Sequence, residues 1–140
     1  MISFDISLRV FLKVFLTMNI IIAGDGEVGF HLAKLLTGKH HNITIVDPHE
    51  ELIKVIESHA DLMAVTGAST SISVLENAGV KKADLLISVL HDELVNIVTS
   101  ILGKKLGAKR TIARIQNAEY LIPDNLKLFQ SLGVDDMVCP

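Results

Sequence analysis

The sequence is poor in several residue types, and each shortage closes off a class of protein. It holds a single cysteine, Cys139, near its C-terminus. One thiol forms no intrachain disulfide and no paired-cysteine zinc site, so the chain suits a reducing cytosol. Tryptophan is absent, tyrosine occurs once and phenylalanine five times. So few rings make a poor stacking platform for single-stranded nucleic acid. Cationic charge is not in excess, with 13 Lys and Arg against 16 Asp and Glu and a formal net charge of −3. That balance gives no support for nucleic acid or an anionic membrane as a direct partner. Catalytic patterns are missing as well. Tyr120 is followed four residues later by Asp124 rather than Lys, and there is no H-E-x-x-H, no Ser-His-Asp order and no metal-ligand spacing among the six histidines. No catalytic residue and no metal ligand is therefore assigned. Long clean apolar runs are also lacking. The most apolar stretch, residues 1–17, is interrupted by Asp5, Arg9 and Lys13, well short of the ~18 apolar residues of a membrane span.

What remains is a chain of 140 residues, 49% hydrophobic and 21% charged. Those values suit one globular domain with a good core. Its centre is the stretch Asn19 to Leu36. An apolar run, Ile20 to Ala23, leads directly into Gly24-Asp25-Gly26-Glu27-Val28-Gly29. Val28, Leu32, Leu35 and Leu36 then recur at helical spacing, with Lys34 expected on the outer face. Strand, G-x-G-x-x-G and helix in that order are the context that gives the motif weight. Gly24 permits the tight turn, Gly26 lets a pyrophosphate approach the backbone, and Gly29 lets helix and strand pack closely. The helix N-terminus adds unpaired N–H groups and a partial positive charge. A second strand, Asn42 to Val46, ends in Asp47, which follows Gly29 by 18 residues. An acid near that spacing accepts hydrogen bonds from a ribose and repels a 2′-phosphate, so NAD(H) or ATP is favoured over NADP(H). Asp47-Pro48 is also a turn signal in its own right.

From Met18 onward, strand-like and helix-like segments alternate. Strands are expected at Asn19–Ala23, Asn42–Val46, Leu62–Thr66, Leu85–Leu90, Arg110–Ile115 and within Val134–Cys139. Helices are expected at about Val28–Thr37, His49–His59, Ser71–Ala78, Asp92–Leu106 and Asn125–Leu132, with Gly38, Gly79, Gly107 and Gly133 as stops. Strands with no polar face (Ile20 to Ala23, Leu85 to Leu90) belong in a parallel sheet covered on both sides. The predicted fold is α/β: a Rossmann-type, doubly wound, parallel six-stranded sheet in the order 3-2-1-4-5-6. Ligand then binds at the carboxyl ends of strands one and four. This gathers Gly24, Asp25, Gly26, Glu27, Val28, Gly29, Asp47, Gly67, Ala68, Ser69, Leu90, His91 and Arg114 around one crevice. Residues 18–140 form the domain. Residues 1–17 fit neither period cleanly: every even position from Ile2 to Leu16 is apolar, while Asp5, Arg9, Lys13 and Thr17 recur every fourth residue. They are read as an extension, mobile rather than packed.

Several segments together resemble a known family. They are Met18 to Gly29, Ile43 to Asp47, Val74 to Gly79, Ala83-Asp84, Thr111 to Ile115, and the D-E-x-x-N run from Asp92 to Asn96. The resemblance is to the KTN (RCK-N) domain of the TrkA type, the cytosolic regulatory subunit of potassium uptake systems. It implies a Rossmann domain that binds NAD(H), or ATP or ADP in some members. It also implies assembly as a homodimer or tetramer beneath a membrane potassium transporter or channel subunit of the TrkH type. The location implied is cytoplasmic, peripheral at the inner face of the membrane through that partner and without insertion. By position, the family's contacts fall on Gly24–Val28, Asp47, Leu90, His91 and Arg114. Three positions depart from the family pattern. Glu27 stands where ATP-sensing members often carry Arg, Gly67 to Thr70 replaces a Gly-Asp turn, and Leu90 replaces a common Thr. These departures bear on nucleotide choice rather than on fold.

Two other readings compete. The chain could be the cofactor-binding half of an NAD-dependent oxidoreductase, or an oligomerisation module with a vestigial site. The residues after Pro140 would separate the readings: a second glycine-rich repeat or a small regulatory domain supports the regulatory module, and a catalytic domain supports the oxidoreductase.

Overall fold

The computed structural model describes residues 17–37, 40–59 and 61–140. The extension read into residues 1–17 lies outside these apart from Thr17, and so does the helix stop at Gly38. The described chain forms six strands: β1 (Asn19–Ala23), β2 (Asn42–Asp47), β3 (Leu62–Thr66), β4 (Leu85–Ser88), β5 (Thr111–Arg114) and β6 (Asp136–Val138). All pair in parallel, in the expected order β3-β2-β1-β4-β5-β6. The helices are α1 (Glu27–Thr37), α2 (Glu50–Glu57), α3 (Ile72–Asn77), α4 (Glu93–Leu106) and α5 (Pro123–Leu132). Short 3₁₀ turns at Val80–Lys82 and Ala118–Leu121 join the remaining segments.

The strand alternation sends neighbouring residues to opposite faces. Ile20 and Ile22 pack with Ile43, Ile45, Ala33 of α1, and Ile53 and Ile56 of α2. Ile21 and Val46 face the other way, onto Leu75 of α3, Val80 and Leu86. Ile97 of α4 joins Ala113, Ile115, Val134 and Met137 on that second face, with Leu126 and Phe129 of α5 beside them. The two sets of helices thus cover opposite sides of one sheet. This leaves the strand order reversing between β1 and β4.

Two expected faces differ from the observed ones. Val28 and Leu35 of α1 are 47% and 63% exposed, and the residues that meet the sheet are Gly29 and Ala33. The cause is the closeness of α1 to β1. A Cβ on Gly24 would stand 3.3 Å from the Gly29 Cα. Small residues one turn apart fit that contact, and Leu32 and Leu36 flank it half-buried. In α4 the helical spacing of Leu94, Ile97, Val98, Ile101 and Leu102 predicts one wide apolar surface, and the structure divides it. Ile97 enters the core, Ile101 and Leu102 pack partly against it, and Leu94 and Val98 remain 59% and 44% exposed.

Candidate nucleotide-binding site

The glycine loop leaves β1 at the point where the strand order reverses. Gly24 N–H donates to the Val46 carbonyl at 3.0 Å, which ties the loop to β2. Gly24 and Gly29 lie back to back, each leaving no room for a side chain on the other without displacement. Gly26 has φ +148°, and no atom lies within 4 Å of the position its Cβ would take. The loop therefore presents open space at Gly26 in a conformation that L side chains rarely adopt. Glu27 and Val28 follow, exposed, in the first turn of α1. The first N–H groups of any α-helix lack intrahelical partners, so this turn can accept an anion.

Asp47 closes the β2 side. Its side chain is fully buried, yet it is not left without partners. Oδ2 accepts the Gly26 N–H at 2.8 Å, and Oδ1 accepts the His49 N–H at 2.8 Å. The His49 ring adds a third contact, with Nδ1 2.8 Å from Oδ1. The carboxylate thus fixes the conformation of the glycine loop directly, a role that spacing alone did not reveal. The Asp47 carbonyl also accepts the Gly67 N–H at 3.0 Å and anchors the turn after β3. Within that turn Ala68 is exposed, but Ser69 is buried and its hydroxyl lies 2.8 Å from the Thr99 hydroxyl of α4. Ser69 was expected to line the crevice. Its hydroxyl is instead engaged in the interior, where it fastens the turn to α4.

On the far side, the D-E-x-x-N run supplies a scaffold. Asp92 caps α4, with Oδ1 accepting the Leu94 N–H at 2.9 Å. Glu93 Oε2 accepts the N–H groups of Gln116 and Asn117 at 2.6 and 2.9 Å. Asn96 is fully buried and has four partners. Its Oδ1 accepts from Ser88 Oγ and Leu90 N–H, and its Nδ2 donates to the Leu90 and Arg114 carbonyls, all at 2.8–2.9 Å. One amide therefore fixes the ends of β4 and β5 together. Leu90 and Arg114 are placed through their backbones. The Arg114 guanidinium has no ion-pair partner among the described residues. His91 reaches back to the glycine loop, its backbone N–H donating to Asp25 Oδ2 at 3.0 Å. Gly24 to Gly29, Asp47, Gly67 and His91 are thus held in one bonded set, with Leu90 and Arg114 joined through Asn96.

Among the described residues, no group of three or more His, Cys, Asp or Glu side chains is arranged to hold a metal ion, and no helix is long and apolar enough to cross a membrane. A hollow of about 600 Å³ lies between α1 and α2, lined by Glu27, Val28, Phe30, Lys34, Leu52 and Val55 among others.

With this geometry in place, comparison with known proteins is informative. A family model described as the TrkA-N domain matches residues 20–140. A Trk system potassium uptake protein TrkA homolog of Archaeoglobus fulgidus is 38% identical over 123 residues, covering 88% of this chain and 28% of that protein. The chain spans from about a quarter to about half the length of the curated relatives it matches. In fold it resembles the TrkA-N domain of the Escherichia coli inner membrane protein ybaL, with a TM-score of 0.74 and 16% identity over 90% of both chains. It also resembles the GsuK channel bound to NAD, with a TM-score of 0.69 and 18% identity over 89% of this chain and 22% of that one.

Proposed function

Because the chain belongs to the TrkA-N domain family, we propose that it is the nucleotide-sensing regulatory module of a potassium uptake system, taking NAD(H) in the crevice above β1 and β4. The observation that carries this reading is the joining of the glycine loop to Asp47 through the Gly26 N–H at 2.8 Å. Phosphate loop and ribose acceptor are thereby set against each other before any ligand arrives. In this reading the open space at Gly26 and the first turn of α1 hold the pyrophosphate. The Asp47 carboxylate accepts a ribose hydroxyl at Oδ1 once the His49 ring, 58% exposed, swings away. Gly67 and Ala68 border the adenine, and Ser69 supports them from behind. Leu90, His91 and the Arg114 guanidinium meet the second half of a dinucleotide. Residues 18–140 are the binding domain, with 1–17 an extension to it.

The module acts without turnover, by binding. Nucleotide shifts the geometry of a homodimer or tetramer only as far as its affinities for two arrangements differ. A membrane potassium transporter or channel subunit reads that geometry, which places the module in the cytoplasm at the inner membrane face. The name of the A. fulgidus relative and the NAD bound to GsuK support the partner class and the ligand.

Calorimetry with NADH on the wild-type chain and on Gly26→Val tests the site. Valine at φ +148° is strained and fills the open space, so affinity should fall by more than about tenfold, the equivalent of 1.4 kcal/mol. Equal affinity of two folded proteins would sink the assignment.

A further inference from the structure

The glycine loop is fastened on the side away from Asp47. Besides accepting the His91 N–H at 3.0 Å, Asp25 places Oδ1 2.7 Å from His91 Nδ1. The partners lie 66 residues apart in sequence. They join the loop after β1 to the loop after β4, across the boundary where the strand order reverses. His91 is braced in turn. Gln116 Nε2 donates to its carbonyl at 3.3 Å, and Gln116 N–H is held by Glu93 at 2.6 Å. A bonded chain thus runs from the glycine loop to the loop after β5.

Position gives this contact its meaning. Asp47 marks the β2 side of the crevice, where an adenosine ribose would sit. A ligand that ends at its phosphates stays on that side of the glycine loop. A dinucleotide has to continue past β1 toward β4 and Arg114. The Asp25–His91 contact spans that route. The contact is also one that binding energy can open, because the His91 side chain is 73% exposed and a hydrogen bond within reach of water contributes little net stability.

We infer that Asp25 and His91 form a clasp that sets ligand class: adenosine mono- and diphosphates bind with it shut, and dinucleotides bind only after it parts. The inference rests on the crevice being a nucleotide site and deepens that reading. Asp25 and His91 act here as specificity residues, not as catalysts. Asp25→Ala removes both bonds, whereas His91→Ala removes the ring contact and keeps the backbone one. Asp25→Ala also deletes a negative charge beside the phosphates, which favours ADP, with its extra terminal charge, at least as much as NADH, so the charge effect cannot itself raise the ratio.

The test is calorimetry with ADP and with NADH on the full chain and on both variants, with thermal melts as a check of folding. The ratio Kd(ADP)/Kd(NADH) should rise about five- to tenfold in Asp25→Ala and about threefold in His91→Ala, as expected for losing two modest bonds and one. An unchanged ratio in both folded variants overturns the clasp while leaving the nucleotide site standing. ADP binding to Asp25→Ala without NADH binding does the same. If neither ligand binds the wild type or either variant, the nucleotide site itself is wrong and the clasp falls with it.

Discussion

At the scale of single residues, two carboxylates carry unlike duties. Asp47 is fully buried and accepts on both oxygens. Asparagine there offers one acceptor and turns an amide toward a second N–H. We expect Asp47→Asn to lose about 1–3 kcal/mol of stability, the cost of a buried group left unpaired, measurable by urea denaturation. The same variant should narrow the gap between NADH and NADPH affinity, because the charge that repels a 2′-phosphate is gone. If NADPH binds the wild type as tightly as NADH, that role for Asp47 is wrong. Asp84 works at the opposite end of the sheet. It accepts the Asn19 N–H at 2.8 Å and pairs with Lys109 at 3.1 Å. Those contacts, the backbone bond first, hold its carboxyl below the usual carboxylate range. A pKa lower in the folded than in the unfolded chain contributes stability that is complete above about pH 4 and is lost as pH falls through the folded value. The difference in melting temperature between wild type and Asp84→Asn should therefore shrink from pH 7 to pH 3. A difference that stays constant would mean that the charge of Asp84 plays no part.

At the scale of elements, α4 is set by its first turn. Asp92 caps it, Glu93 holds the loop after β5, and Asn96 binds the ends of β4 and β5. Asn96→Ala strips partners from a hydroxyl, an N–H and two carbonyls at once. We expect a loss of about 2–4 kcal/mol, summing modest costs per unpaired group, with the urea midpoint as readout; a loss within error would mean that water replaces the amide. The run was visible in the sequence as a motif, but its duty was not, since all four partners of the Asn96 amide lie outside α4. Strand positions were legible because the strands are apolar runs bounded by Gly, Asp and Asn; β1 and β3 match their expected limits residue for residue. The exposed face of α1 was not legible. Periodicity marks Val28 and Leu35 as apolar but says nothing of how near a helix lies to its strand, and here Gly24 and Gly29 set that distance. The hydrogen bond between Ser69 and Thr99 and the clasp between Asp25 and His91 were hidden for a related reason. Each joins residues 30 or 66 positions apart, and only the winding of the sheet brings them together.

At the scale of the whole molecule, α4 links the crevice to the surface. Its first turn lies beside His91, its buried side holds Asn96, and its outer side presents Leu94 and Val98. On the same side of the sheet, α5 and the segment before it expose Leu128, Leu132 and Ile122. Apolar groups gain about 25 cal/mol per Å² when removed from water, so we propose this side of the molecule as the surface that would meet a second copy of the chain. Light scattering on the full chain should show concentration-dependent association, and Leu94→Glu should weaken it. A wild type that stays monomeric at all accessible concentrations would exclude association through this surface. The sharper expectation concerns coupling. If nucleotide moves the ends of β4 and β5, Asn96 transmits the shift to α4 and hence to Leu94 and Val98. NADH should then change the association constant, and by linkage association must change NADH affinity by the same factor. Titrating NADH at protein concentrations below and above the association midpoint measures one side of that identity, and scattering with and without NADH measures the other. Equal NADH affinities on both sides of the midpoint, in a chain that does associate, would show that this surface assembles the module without reporting on the nucleotide.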